Sequence, residues 1–386
     1  MIGWPKEDGL SSLFLGGSLR QVSLTLLGLF SPIYVFQSFR YSSSVGGKIT
    51  FVLLFYMIMM IFKLIGLYFA ENISQKIGFK GTIRLSLAPF VIFIPSLILG
   101  GNLPPVLLLA AASLGLHEGF FWWGFHGYFV KVSNSSHFGL SLGQADLFLT
   151  TAAIVTPFLG GILTTKFGFD FIFILSFIFM ILSLIALGKD HDRKQHTDVR
   201  FADIVRLTLR HRNISIAYAG RGGELITYGI FWPLYLYFIF KNVLELGTIV
   251  SLAAILSAVF AVLVGKMTDS RGEKWAIKIG SPLTAFSWLL RFVSLTPAYI
   301  LADSLRNFGQ KLVGIPMDEL SYKKARESST GAAMLFREIG LTVGSMFAII
   351  LLAIIINLGE NLLPIFIAGF ALSLFPLISV RAKKFK

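Results

Sequence analysis

The chain is written twice. Arg20, Leu24, Gly28, Phe30, Pro32 and Tyr34 recur 201 positions later as Arg221, Leu225, Gly229, Phe231, Pro233 and Tyr235, with the same residue at all six places. Both copies lie in apolar runs, 11–38 and 213–240, long enough to cross the roughly 30 Å hydrocarbon core of a bilayer. A fold of two matching halves follows, each holding an arginine where lipid would exclude one. Charges inside a span are costly and tend to line a water-filled or substrate path. Of the 386 residues 55% are hydrophobic and 14% charged, against about 25% charged in soluble domains; mean hydropathy is +0.76. So little charge cannot cover a soluble surface of this size, so lipid is the expected solvent.

Twelve apolar spans are expected: 11–38, 48–70, 83–101, 104–130, 140–165, 168–188, 213–240, 246–268, 274–296, 298–320, 329–357 and 360–381. The polar stretch from Gly188 to Asn213 divides them six and six. The expected organisation is therefore an all-α multi-pass membrane protein with an N-terminal unit over 1–188, a linker over 189–212 and a C-terminal unit over 213–386. Within the linker, Phe201 to Leu209 has apolar residues at helical spacing among arginines, readable as a short interfacial helix or as solvated chain. Basic residues gather on one side, at Lys76, Lys80, Arg84, Lys131, the linker, Lys274, Lys278 and the tail. By the positive-inside rule that side is cytoplasmic, with both termini there, in the cell (plasma) membrane. The same rule accounts for the net charge of +14 without nucleic acid. The chain has no cysteine, which excludes disulfides and thiolate metal sites. Its first residues lack a cleavable signal pattern, so the first span is expected to be retained.

Two loops and one span carry motifs. Between spans eight and nine the chain reads Gly265-Lys266-Met267-Thr268-Asp269-Ser270-Arg271-Gly272-Glu273-Lys274. Gly265 permits close helix approach, Asp269 suits a neighbouring helix N-terminus, Gly272 supplies a turn and Lys274 anchors the inner face. The run resembles the G-x-x-x-D-x-x-G-x-[RK] loop of the major facilitator superfamily. Its first-half counterpart, Glu71 to Lys80, keeps Gly78 and Lys80 but has Gln75 in the acid's place, so a latch there is expected to be weaker or differently made. Span five, through Gly143, Pro157, Gly160 and Gly161, resembles the family's antiporter motif, typical of drug–proton exchangers; the plain alternative is close packing and a bend. Span four lacks the arginine such exchangers often carry; Gly115 stands nearest its place. The resemblance covers essentially the whole chain. It implies the superfamily's fold of twelve transmembrane helices in two pseudo-symmetric six-helix bundles, acting as a monomer. Spans 1, 4, 7 and 10 then surround a central cavity, with alternating access by rocking one half on the other.

Intramembrane charge gathers on those four spans. Glu118 and Asp303 are the expected proton carriers, with Glu224 and His117 as further candidates, because low dielectric favours a carboxylate's neutral form unless a cation is near. Arg20, Arg221, Arg306, Asn307 and Gln310, with the aromatics Trp122, Tyr228, Trp232 and Tyr34, are the substrate-binding candidates. Asp303, Arg306, Asn307 and Gln310 form one helical stripe. Arg221 and Glu224, three apart, share a face; Glu224 then serves Arg221, leaving Arg20 freer to hold an anion, with Glu118 its nearest alternative partner. Static ion pairs between helices are the plain alternative for these charges. Lys63 and Arg337-Glu338 are expected beside the cavity as supporting or gate residues, and Arg291 to snorkel at the outer end of span nine. Gly265, Asp269, Arg271, Gly272 and Lys274, with span five, form the expected gate. No phosphate-cradling G-x-x-x-x-G-K-[ST] loop or hydrolase motif occurs. The expected function is therefore not enzymatic. It is secondary active transport of a small organic substrate, without cofactor or metal, driven by protons and exporting by antiport. A symporter or facilitator of an organic anion or other small metabolite, and a non-transporting receptor or scaffold, are the alternatives.

Overall fold

In the computed structural model we describe residues 8–132, 154–188, 201–327, 330–359 and 362–380, with backbone alone for 8–10, 201–202, 258–271, 324, 326–327 and 330. The first half comprises α1 (Asp8–Ser38), α2 (Val45–Leu85), α3 (Leu87–Gly100), α4 (Val106–Val132), α5 (Ile154–Phe167) and α6 (Phe169–Ala186). A short α7 (Phe201–Arg210) follows, so the helical reading of that part of the linker holds. The second half comprises α8 (Arg212–Phe240), α9 (Val243–Arg271), α10 (Glu273–Leu290), α11 (Thr296–Glu327), α12 (Thr330–Leu358), α13 (Pro364–Leu374) and α14 (Leu377–Val380). The described residues are all-helical, forming twelve membrane-crossing helices in two pseudo-symmetric six-helix bundles, with α13 and α14 together making the last crossing.

Glycine turns set the sharp reversals. Gly78 has φ 76° inside the stretch numbered α2, so the second crossing ends there and the third begins. Gly272 repeats this at φ 86° between α9 and α10. An L side chain is strained at such angles, which explains why both survive in the two loop motifs. Pro32 and Pro233, the same position of the repeat, lie inside α1 and α8.

Consecutive helices alternate direction and define two ends. The basic end carries Gly78, Gly188, α7, Gly272 and the end of α11; the far end carries 39–44, 101–105, Gly168, Lys241 and 291–295. In the second half α8 and α12 pack backbone to backbone, for a Cβ on Gly222 would lie 1.9 Å from the Leu341 carbonyl oxygen. On α6, Ile174, Ile178, Leu182 and Ile185 form an exposed apolar stripe, a face for lipid rather than water.

The halves meet at two levels. Toward the far end Gln37 Nε2 donates to the Tyr237 hydroxyl at 2.7 Å, and the Phe36 and Phe238 rings stand edge to face. In the same region α5 lies against α9, where a Cβ on Gly247 would lie 2.3 Å from the Pro157 carbonyl oxygen, and Ser251 Oγ accepts from Phe158 N at 3.0 Å. Toward the basic end α4 and α2 face α11 and α12 through the polar groups described next.

Candidate substrate cavity and its charge network

α1 carries Arg20 to Glu118 on α4, and the two side chains form an ion pair. Trp122, one turn along α4, donates its indole N–H to the other Glu118 oxygen at 2.6 Å. The Arg20 guanidinium lies over the Phe121 ring, 3.5 Å from its centroid. Glu118 therefore has a cation beside it, and Arg20 is not the freer arginine: it has taken the alternative partner. His117, fully buried, bonds through Nδ1 to the Ser86 carbonyl at 2.8 Å, and its Nε2 lies 3.9 Å from Glu118 Oε1.

The pair is duplicated. Arg221 Nη1 donates to Asp318 on α11 at 2.7 Å. Partners lie 98 residues apart in the first half and 97 in the second. Shifting Glu118 by the repeat length reaches Glu319, one residue from Asp318, so the sequence repeat itself holds a signal for this acid. Glu224 does not serve Arg221. It accepts from Arg306 Nε and Nη2 at 2.8 and 3.0 Å, from Gln310 at 2.7 Å and from Trp288 at 3.1 Å. The physical reason is geometric: a guanidinium fork on the facing helix meets both carboxylate oxygens.

A further ion pair in this half is wholly buried. Arg291 Nη2 donates to Asp303 Oδ1 at 2.8 Å, both side chains having 0% exposure. Trp232 and Tyr228 donate to Asp303 Oδ2 at 2.9 and 3.2 Å. Arg291 does not snorkel. Its guanidinium lies over the rings of Trp232 and Trp288, 4.4 and 4.5 Å from their centroids, in an aromatic slot that replaces water. Arg306 stacks on Tyr228 at 3.4 Å. Asp303, Arg306, Gln310, Tyr228 and Trp232 are thus engaged with one another and with Glu224, while Asn307 is half-buried and joins neither pair. Tyr34 lies elsewhere: its hydroxyl donates to the Ile98 carbonyl at 3.1 Å, beside a far-end recess also lined by Arg40, Asn102 and Asp170.

Between the halves, nearer the basic end, is a cavity of about 390 Å³. Lys63, Trp122, Phe125, His126 and Phe129 line it from the first half; Arg221, Asp318, Tyr322, Arg337 and Glu338 line it from the second. Of the expected substrate-binding residues, Arg221 and Trp122 reach it. The others lining it form one polar net. Lys63 Nζ lies 2.9 Å from Glu338 Oε2. Arg337 donates to Asp318 through Nε at 3.0 Å and Nη2 at 2.8 Å, and pairs with Glu338. His126 bonds to the Tyr322 hydroxyl. Lys63, His126 and Arg337-Glu338 thus stand at the cavity, while Asp318 and Tyr322 went unread. Among the described lining residues three cations face two carboxylates, an excess of one positive charge. Arg221 Nε has no hydrogen-bond partner among the described residues.

The described motif residues do not line this cavity. Gly265, Asp269 and Arg271 lie in the helical backbone of α9, their side chains outside the description, as is Gly143 altogether. Lys274 is exposed. Pro157, Gly160 and Gly161 serve packing: a Cβ on Gly161 would lie 3.0 Å from Leu244 Cα, and one on Gly160 2.6 Å from the Phe30 ring. In the first-half loop Gln75 donates to Glu71 at 2.9 Å. At the basic end Lys323 bridges Glu273 and Glu319 at 2.7 and 2.8 Å. Partial burial opposes its charge, but the two carboxylates outweigh that and raise its pKa above the usual lysine value.

The major facilitator superfamily model matches residues 13–219, more than half of the chain. No curated protein matches. The human organic anion transporter MFSD10 (TETRAN) is similar in structure at 12% identity and TM-score 0.71, over 98% of this chain and 100% of that one. The fucose:proton symporter FucP of E. coli is similar at 12% identity and TM-score 0.68, over 96% and 97%. A bacterial homologue of the iron transporter ferroportin, outward-facing, is similar at 14% identity and TM-score 0.62, over 96% and 98%.

Proposed function

The chain belongs to the major facilitator superfamily, and from that premise we propose that it moves a small organic anion across the membrane by alternating access, coupled to protons. The observation that carries the reading is the inter-half cavity with one positive charge in excess, walled by Trp122, Phe125 and Phe129. Arginine suits carboxylate and sulfonate ligands, and an aromatic wall favours an amphipathic body. Structural neighbours described as an organic anion transporter and a proton symporter agree with this reading. The two halves rock about the cavity, which opens to each side in turn. The basic end faces the cytoplasm, with both termini inside.

Export in exchange for protons is the second reading, favoured by the resemblance of span five. Exchange requires proton and substrate to compete, and a positively charged cavity does not provide that competition for an anion. Flux of an aromatic sulfonate, which stays ionised and crosses bare lipid poorly, separates the readings in proteoliposomes with an imposed pH gradient. Accumulation on the alkaline side, with protons moving the same way, is the expected result. Accumulation on the acidic side supports exchange. No flux of sulfonates or carboxylates overturns the anion reading.

A further inference from the structure

His126 stands on the seam between the halves, and its bonding pattern locates its proton. It projects from α4, is 2% exposed, and has Arg337 Nη1 2.8 Å from its Nε2. A guanidinium only donates, so Nε2 presents its lone pair and the ring is neutral, with its proton on Nδ1 toward the Tyr322 hydroxyl. Glu338 Oε1 stands 3.3 Å from the same Nε2, placed to accept from it if a proton arrives. The surrounding charges are Asp318, which holds Arg337 and Arg221, and Lys63, which holds Glu338. The Trp122 ring stacks on the imidazole, 5.1 Å between centroids.

We propose that His126 is the proton-coupling residue, and that its protonation and anion binding reinforce each other within one cavity. This rests on the anion reading above. A proton on Nε2 removes the acceptor that Arg337 uses. Arg337 keeps Asp318 through Nε and Nη2 and Glu338 through one Nη1 hydrogen, and the Nη1 hydrogen that faced His126 is released to a ligand. Glu338 turns toward the imidazolium, which loosens its hold on Lys63. The lining's excess rises from one positive charge to two, and an ammonium and a guanidinium N–H become available to an acid group. The bonds that change cross between halves, because His126 and Lys63 belong to the first and Arg337, Glu338 and Tyr322 to the second. By linkage, an anion that prefers the protonated cavity raises proton affinity there by the same factor. Proton and anion load together from one side and leave together on the other; Nε2 gains one proton from water and returns it, and no covalent bond to the ligand forms. This assigns coupling to His126 rather than to Glu118 or Asp303, whose ion pairs lie within single halves.

Titration calorimetry of the purified full chain tests this, using 2-naphthalenesulfonate, whose own charge does not change with pH. Repeating it in buffers of different ionisation enthalpy counts protons. On the alkaline side of the histidine range, uptake of about one proton per anion and an affinity falling about tenfold per pH unit are expected. His126→Gln, which keeps a hydrogen-bonding side chain of similar reach, is expected to bind with the weak affinity of the alkaline protein, at all pH values and without proton uptake. Proton release on binding, or unchanged uptake in His126→Gln, overturns the proposal while leaving the anion reading intact. Absence of binding by the native chain to this sulfonate and to aromatic carboxylates at every pH removes the anion reading, and the coupling with it.

Discussion

Asp303→Leu is expected to cripple folding, lowering stability by ~3–5 kcal/mol because Arg291 is left buried without a counter-charge. The environment explains the size. Both partners have no solvent exposure, and the slot around them is closed by Trp232 and Trp288. Arg291→Leu is expected to be similarly harmful, since among the described residues Asp303 would keep only Trp232 and Tyr228 as donors. Losses of this size are a large share of a typical stability of ~5–15 kcal/mol. Replacing both with leucine removes both desolvation penalties together, and recovery of much of the loss is expected. The unfolding midpoint of detergent-solubilised protein, followed by tryptophan fluorescence, measures all three variants. Single variants as stable as the native chain would remove this pair from the account of what holds the second half together.

Arg221→Gln is expected to weaken anion binding roughly 10- to 100-fold, the value of a charge-assisted hydrogen bond at ~1.5–3 kcal/mol. It removes the positive excess, because Lys63 and Arg337 would then face Asp318 and Glu338 in equal number. Arg20→Gln is expected to act differently. Arg20 does not line the cavity, and its loss leaves Glu118 with the Trp122 indole as its remaining hydrogen-bond donor among the described residues. Its effect should appear in the unfolding midpoint, with affinity for sulfonate nearly preserved. Calorimetry on both variants checks the contrast. A larger loss of affinity in Arg20→Gln would move the site to the first half and contradict the cavity assignment.

Much of the fold was legible because lipid imposes a strong period on sequence. Each expected span corresponds to a helix in the described residues, within a few residues at most described ends, the first part of span five (140–153) lying outside them, and the repeat located α1 against α8. Gly78 and Gly272 were readable as turns because a positive φ leaves glycine little competition. Pairing was harder. Spacing along one helix placed Glu224 beside Arg221, yet the partner of each came from α11, through Arg306 and Asp318. A one-dimensional pattern shows which residues share a face, and not which facing helix supplies the longer side chain. Arg291 shows the same limit. Its position near a span end suggested snorkelling, whereas two tryptophans from α8 and α10 enclose it. The repeat contained a stronger clue than helical phase: the ion pairs Arg20–Glu118 and Arg221–Asp318 match to within one residue, and carrying the 201-residue offset through to the acids leads to Glu319, next to Asp318.

Alternating access through the inter-half cavity is the central claim, and the far-end contact between Gln37 and Tyr237 offers a direct test. The chain has no cysteine of its own, so Gln37→Cys and Tyr237→Cys together give one addressable thiol pair. Bridging them with a short bis-maleimide fixes α1 to α8 at that end. Sulfonate flux in proteoliposomes is predicted to fall to the level of protein-free vesicles after bridging. It should persist in the double variant capped with a monofunctional maleimide. Undiminished flux through fully bridged protein would contradict the account, because the far end would not need to open for the anion to pass.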